Sequence, residues 1–107
     1  MAVEIKEGVS IRGLRSETVY ALRVIEGAFQ DAGYPTVTLT AGVDGSHSRA
    51  SLHYVGCAVD IRTNNIASSK LEPLRVEIAR RLGAEFDVVF ESNHFHIEFQ
   101  PKDPVKT

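Results

Sequence analysis

Ser46-His47-Ser48-Arg49-Ala50-Ser51-Leu52-His53-Tyr54-Val55-Gly56-Cys57-Ala58-Val59-Asp60-Ile61-Arg62 is the segment from which this chain is best read. His53 and Asp60 stand six residues apart, and a Gly-containing turn between them leads into an alternating strand over 58–62. Successive side chains of a strand point to opposite faces, so Ala58, Asp60 and Arg62 share one face and Val59 and Ile61 the other. The Asp60 carboxylate is therefore expected to face away from the apolar pair, toward whatever His53 can reach.

A matching half lies near the C-terminus, in Glu91-Ser92-Asn93-His94-Phe95-His96-Ile97-Glu98-Phe99. The same alternation sets Phe95, Ile97 and Phe99 against His94, His96 and Glu98, one face core and the other chemistry. All 4 histidines fall in these two stretches. Imidazole plus carboxylate is the ligand set of a catalytic zinc, which uses three protein ligands and keeps a fourth position open. His94 and His96 both face the cleft, and spacing does not choose between them as the third ligand.

Working outward, Ser16 is a plausible N-cap for a helix to about Ala32, with Val19, Leu22, Ile25, Phe29 and Ala32 at helical spacing and Gly33 as its stop. Residues up to Gly13 read as an irregular or short extended lead-in. Thr36 to Thr40 is a β-branched strand, and Ala41 to Ser51 a Gly- and Ser-rich loop. Beyond the turn at Asn64-Asn65, Ser69-Lys70-Leu71-Glu72 has the capping-box pattern, with Pro73 tolerated in the first turn of a second helix. Leu71, Leu74, Ile78 and Leu82 form its stripe, and Gly83 ends it. Phe86 to Phe90 and His94 to Phe99 read as an antiparallel hairpin. The order predicts an α+β fold: two helices packed on one face of an antiparallel sheet, with the histidines and the zinc site on the other. The whole of 1–107 is expected to be one domain, its core at about 15–100 and its tail, 101–107, flexible.

At 107 residues the chain can build one core. Its 12 basic and 14 acidic residues nearly balance, and the basic ones are dispersed without interleaved aromatics, which argues against nucleic acid and anionic membranes as partners. Cys57 is the sole cysteine, so no internal disulfide forms; it reads as a small buried hydrophobe. The N-terminus lacks a basic, then apolar leader, and no later segment approaches a membrane span, so a soluble chain that is cytoplasmic on synthesis, and a monomer, is expected. A serine-type triad is excluded for want of a G-x-S-x-G elbow.

Ser51-x-His53-x-x-Gly56-x-Ala58-x-Asp60 followed by His94-x-His96 resembles the zinc D,D-carboxypeptidases and L-alanyl-D-glutamate endopeptidases that cut bacterial cell-wall peptides, phage endolysins among them. The Hedgehog amino-terminal signalling domain shares that fold and metal set. The resemblance spans roughly residues 15 to 100. It implies Zn2+ bound by His53, Asp60 and His96, with His94 assisting the transition state, and peptidoglycan stem peptides as substrate. A phage-type lytic enzyme, reaching the wall with another protein's help, would suit the small size. The alternative is a catalytically weak or inactive Hedgehog-like zinc module that binds a partner.

In the family a carboxylate commonly stands three residues before the third ligand, placed to shuttle the proton of hydrolysis. Counting back from His96 reaches Asn93, which is no base; counting back from His94 reaches Glu91, which is. Three arrangements stay open: His94 as ligand with Glu91 as base, His96 as ligand with Glu91 reaching in because the turn breaks strand alternation, or a base lost at Asn93. Glu91 is the best candidate. Arg49 is placed to stabilise an oxyanion and Arg62 to bind a substrate carboxylate, while either could instead be a surface charge. Ser51 is a turn residue or one that orients a ligand. His47 reads as a polar loop residue and Glu98 as a solvated strand residue.

Overall fold

Seven elements follow one another along the chain: β1 (Ala2–Ile5), α1 (Ser16–Asp31), β2 (Thr36–Ala41), β3 (Ala58–Arg62), α2 (Ser68–Leu82), β4 (Phe86–Glu91) and β5 (His94–Phe99). The computed structural model describes residues 2–9, 16–41, 58–91 and 93–100. Its five strands form one sheet in the order β1-β2-β3-β5-β4. Every neighbouring pair is antiparallel except β1 and β2, which run parallel. The lead-in thus holds a strand, and Lys6 prolongs its pairing by donating its backbone N–H to Leu39 O at 3.0 Å.

The period-two pattern decides which face is core. Val59 and Ile61 of β3 and Phe95 and Ile97 of β5 are at most 1% exposed, and they meet Val37 and Leu39 of β2 in a single apolar cluster. Burial of such side chains contributes about 1.5–3 kcal/mol each. Both helices close over this face: Leu74, Ile78 and Leu82 of α2 enter the cluster as the heptad-like spacing predicts. The architecture is the α+β fold expected, two helices on a mostly antiparallel sheet.

Details of the helices differ from expectation. The buried face of α1 is Thr18, Ala21, Ile25, Ala28 and Phe29. Val19 is 48% exposed, and Ala32 lies on the surface past the helix end. Size explains the rotation: a helix drawn close to the sheet turns its small residues inward, whereas hydropathy alone favours the larger valine and leucine. Gly33 closes α1 as predicted, with φ of 92°, a left-handed value that glycine adopts without a Cβ penalty, while Tyr34 N–H donates to Phe29 O at 2.8 Å.

The capping box does not form. Ala67 is the N-cap of α2 and no side chain caps it. Glu72 instead accepts both arms of the Arg75 guanidinium, at 2.8 and 2.6 Å, and a fork-to-carboxylate pair three residues ahead wins over a reach back to the cap. Because α2 starts at Ser68, Pro73 falls in the second turn; its missing N–H leaves the Ser69 carbonyl to solvent at an exposed position. Arg75 also donates to Val88 O at 3.0 Å, covering a carbonyl on the sheet's β4 edge. No helix among the described residues is long and apolar enough to cross a membrane.

Candidate metal centre on the polar face of the sheet

The face opposite the core is built by strand register. Asp60 pairs with His96, Arg62 with His94 and Ala58 with Glu98 across β3 and β5. On the far side of β5, His94 pairs with Glu91, His96 with Val89 and Glu98 with Asp87. Directly opposed residues of antiparallel strands share a face, so the same alternation that sends Phe95 and Ile97 inward gathers Asp60, His94, His96, Glu91 and Glu98 outward. Glu91 comes to His94 as an in-register member of β4. The expected break in alternation at the turn is not what places it.

Contacts within the group are short. His96 donates from Nδ1 to Asp60 Oδ1 at 2.7 Å and from Nε2 to Glu98 Oε1 at 2.6 Å. His94 Nε2 lies 3.3 Å from Glu91 Oε1 and 3.7 Å from Asp60 Oδ2, so the Asp60 carboxylate faces both rings. His94 Nδ1 donates to Asn93 Oδ1 at 3.1 Å. That bond gives Asn93 a structural use: it fixes the ring so that Nε2 is turned toward Glu91 and Asp60. Opposite Asp60, a register shift between Leu39 and Ala41 bulges β2, and Thr40 donates its hydroxyl to Asp60 O at 3.3 Å.

Electrostatics follow from this packing. The Asp60 and His96 side chains are only 13% and 16% exposed. The hydrogen bond to Asp60, seconded by that to Glu98 and opposed by the cost of burial, raises the His96 pKa from 6.5 to about 9. At neutral pH the ring is an imidazolium held between two carboxylates.

Asp60 Oδ1 and His96 Nδ1 thus stand in direct contact, an oxygen and an imidazole nitrogen of the type zinc takes. This donor set fits the ion implied by the sequence once the Nδ1 proton is released. Among the described residues no group of three or more His, Cys, Asp or Glu side chains is arranged to hold a metal. The remaining candidate ligand, His53, lies outside the described residues, as do Arg49, Ser51, His47 and Cys57.

Beside His94 a recess of about 320 Å³ is lined by Lys6, Thr40, Arg62, Asn64, Asn93 and His94. Its lining includes two cationic side chains, Lys6 and Arg62, and no carboxylate; Glu91 lies just beyond His94, and Glu98 lies toward the other end of β5. Arg62 sits there, two residues along the strand from Asp60.

Two participants were not foreseen from the sequence. Glu98, expected to be solvated, is 23% exposed and bonded to His96. Its signal was present in the alternation of His96, Glu98 and Gln100. Lys6 enters from β1, and no local pattern announces that a parallel edge strand will deliver it.

A search of curated proteins returned no match. The family model of the Hedgehog amino-terminal signalling domain matches residues 19–99, from the first turn of α1 to the end of β5 and across both halves of the polar face. The chain belongs to the Hedgehog amino-terminal signalling domain family.

Proposed function

We propose that this domain is a zinc-dependent peptidase that hydrolyses a peptide bond in bacterial peptidoglycan peptides, of the D,D-carboxypeptidase or L-alanyl-D-glutamate endopeptidase type. The observation that supports it most is the arrangement around Asp60: its carboxylate meets His96 at 2.7 Å, while His94, 3.7 Å away, has Glu91 at 3.3 Å. A metal-binding pair next to a carboxylate and histidine on one open face is what neutral hydrolysis requires.

In this reading His53, Asp60 and His96 hold the zinc, which when bound supplies an activated water and polarises the scissile carbonyl. Glu91 Oε1 is the base, taking a proton from the attacking water and passing it to the leaving amine. His94, whose Nδ1–H is held by Asn93, turns Nε2 toward the developing oxyanion and donates to it in the doubly protonated form of the ring. Arg62 anchors a substrate carboxylate in the recess, Arg49 assists at the oxyanion and Ser51 orients a ligand. The 2.7 Å contact of His96 with Asp60 supports His96 over His94 as the ligand in this reading.

A second reading rests on the family itself, whose matching model describes a signalling domain. There the zinc stabilises the fold and the cleft binds a partner. The two separate on Glu91: zinc-loaded protein is incubated with defined muropeptides and the products are weighed by mass spectrometry. The peptidase predicts loss of D-alanine or a cut after L-alanine, stopped by chelator and by Glu91→Gln with zinc retained. No product from any muropeptide leaves the partner-binding module.

A further inference from the structure

β5 carries more of the centre than its two histidines. His96, Glu98 and Gln100 follow at intervals of two and so line up on one face. Glu98 Oε1 accepts His96 Nε2–H at 2.6 Å, and its other oxygen, Oε2, accepts the Gln100 side-chain amide. Gln100 is itself fixed, its backbone N–H donating to Glu85 O at 2.6 Å. The result is a chain of contacts, Gln100 to Glu98 to His96 to Asp60, along one edge of the centre.

The two ring nitrogens of His96 have unequal surroundings. On the Nδ1 side stand Asp60 and, beyond it, His94; on the Nε2 side stands Glu98. A carboxylate that accepts one ring N–H fixes the tautomer and leaves the other nitrogen to a metal. We propose that Glu98 is a positioning residue for the metal: held by Gln100, it keeps the proton of His96 on Nε2 and presents Nδ1 on the Asp60 side. The proposal rests on the zinc reading above and adds two residues to it, one of which, Gln100, lies beyond the matched segment.

The test is zinc affinity, measured by competition with a chromophoric chelator, on wild type, Glu98→Ala, Glu98→Gln and Gln100→Ala. Circular dichroism of each metal-free variant checks folding. Glu98→Ala weakens zinc binding about 10–100-fold, the usual cost of losing such a partner. Glu98→Gln, whose amide oxygen still accepts the N–H, stays within about fivefold of wild type, and Gln100→Ala shows a smaller loss than Glu98→Ala. Long-range 1H–15N correlation of the imidazoles in zinc-loaded wild type shows the His96 proton on Nε2, a readout that a merely structural role would leave unspecified. Zinc affinity of Glu98→Ala equal to wild type, or a zinc-loaded His96 without a proton on Nε2, overturns the proposal alone. Wild type that takes no zinc overturns the metal reading with it.

Discussion

Metal-free protein loses stability as pH rises through the range in which His96 gives up its proton. In the folded chain the ring, held by Asp60 and Glu98, titrates at about 9, whereas in the unfolded chain it titrates near 6.5. A folded pKa raised above the unfolded one contributes stability that is fully present below pH 6.5 and lost as pH rises toward 9. The difference between 6.5 and about 9 corresponds to a ceiling of about 3 kcal/mol, at ~1.4 kcal/mol per pH unit. Asp60, His96 and Glu98 retain 13%, 16% and 23% exposure, so solvent screening lowers the expected effect to about 2 kcal/mol. The assay is urea unfolding with chelator at several pH values from 6 to 9.5, on wild type and His96→Gln. Other titrating groups are common to both, so the difference isolates His96. Wild type exceeds the variant by about 2 kcal/mol at pH 6, and the two converge by pH 9.5. A wild-type to variant difference that stays constant over this range would refute the assignment of the imidazolium to the Asp60–His96–Glu98 contact.

Other expectations follow from the fold. Phe95, fully buried beneath the two histidines it separates, is expected to cost about 3–5 kcal/mol on Phe95→Ala, read by urea unfolding; a loss under about 1 kcal/mol would show that it is not core. Gly33→Ala places a Cβ at φ 92° and destabilises by about 1–2 kcal/mol although nothing lies within 4 Å of the added atom, so the loss is conformational and not steric. Arg62→Gln raises KM for a carboxylate-bearing muropeptide about tenfold with kcat nearly unchanged, and an effect on kcat alone would place Arg62 elsewhere in the chemistry.

How far the sequence disclosed this arrangement depended on the range of the interactions involved. The alternation in 58–62 and 94–99 told the core face from the polar face, because side-chain direction in a strand follows from backbone geometry alone. Gly33 and Gly83 marked helix ends for an equally local reason, both having φ of 92°. The buried face of α1 was misjudged because Ala21 and Ala28 gain their place from proximity to the sheet, a tertiary fact. The capping box at Ser69 failed because Glu72 had a better partner in Arg75. Glu91 was expected to reach in from the turn, whereas the register of β4 against β5 brings it to His94. Glu98 shows the limit most plainly: its face was evident, while its bond to His96 depends on a rotamer that no pattern specifies. The first half-site, from His47 to Cys57, lies outside the described residues.

Both readings of the function require that the polar face hold zinc, and metal stoichiometry tests that claim most directly. Purified wild type, dialysed against zinc and then against buffer, is assayed by atomic emission beside His53→Ala, Asp60→Ala, His94→Ala and His96→Ala. The account predicts one zinc per wild-type chain, retained in His94→Ala and lost from the other three. Zinc absent from wild type, or retained in full by Asp60→Ala and His96→Ala, would contradict it.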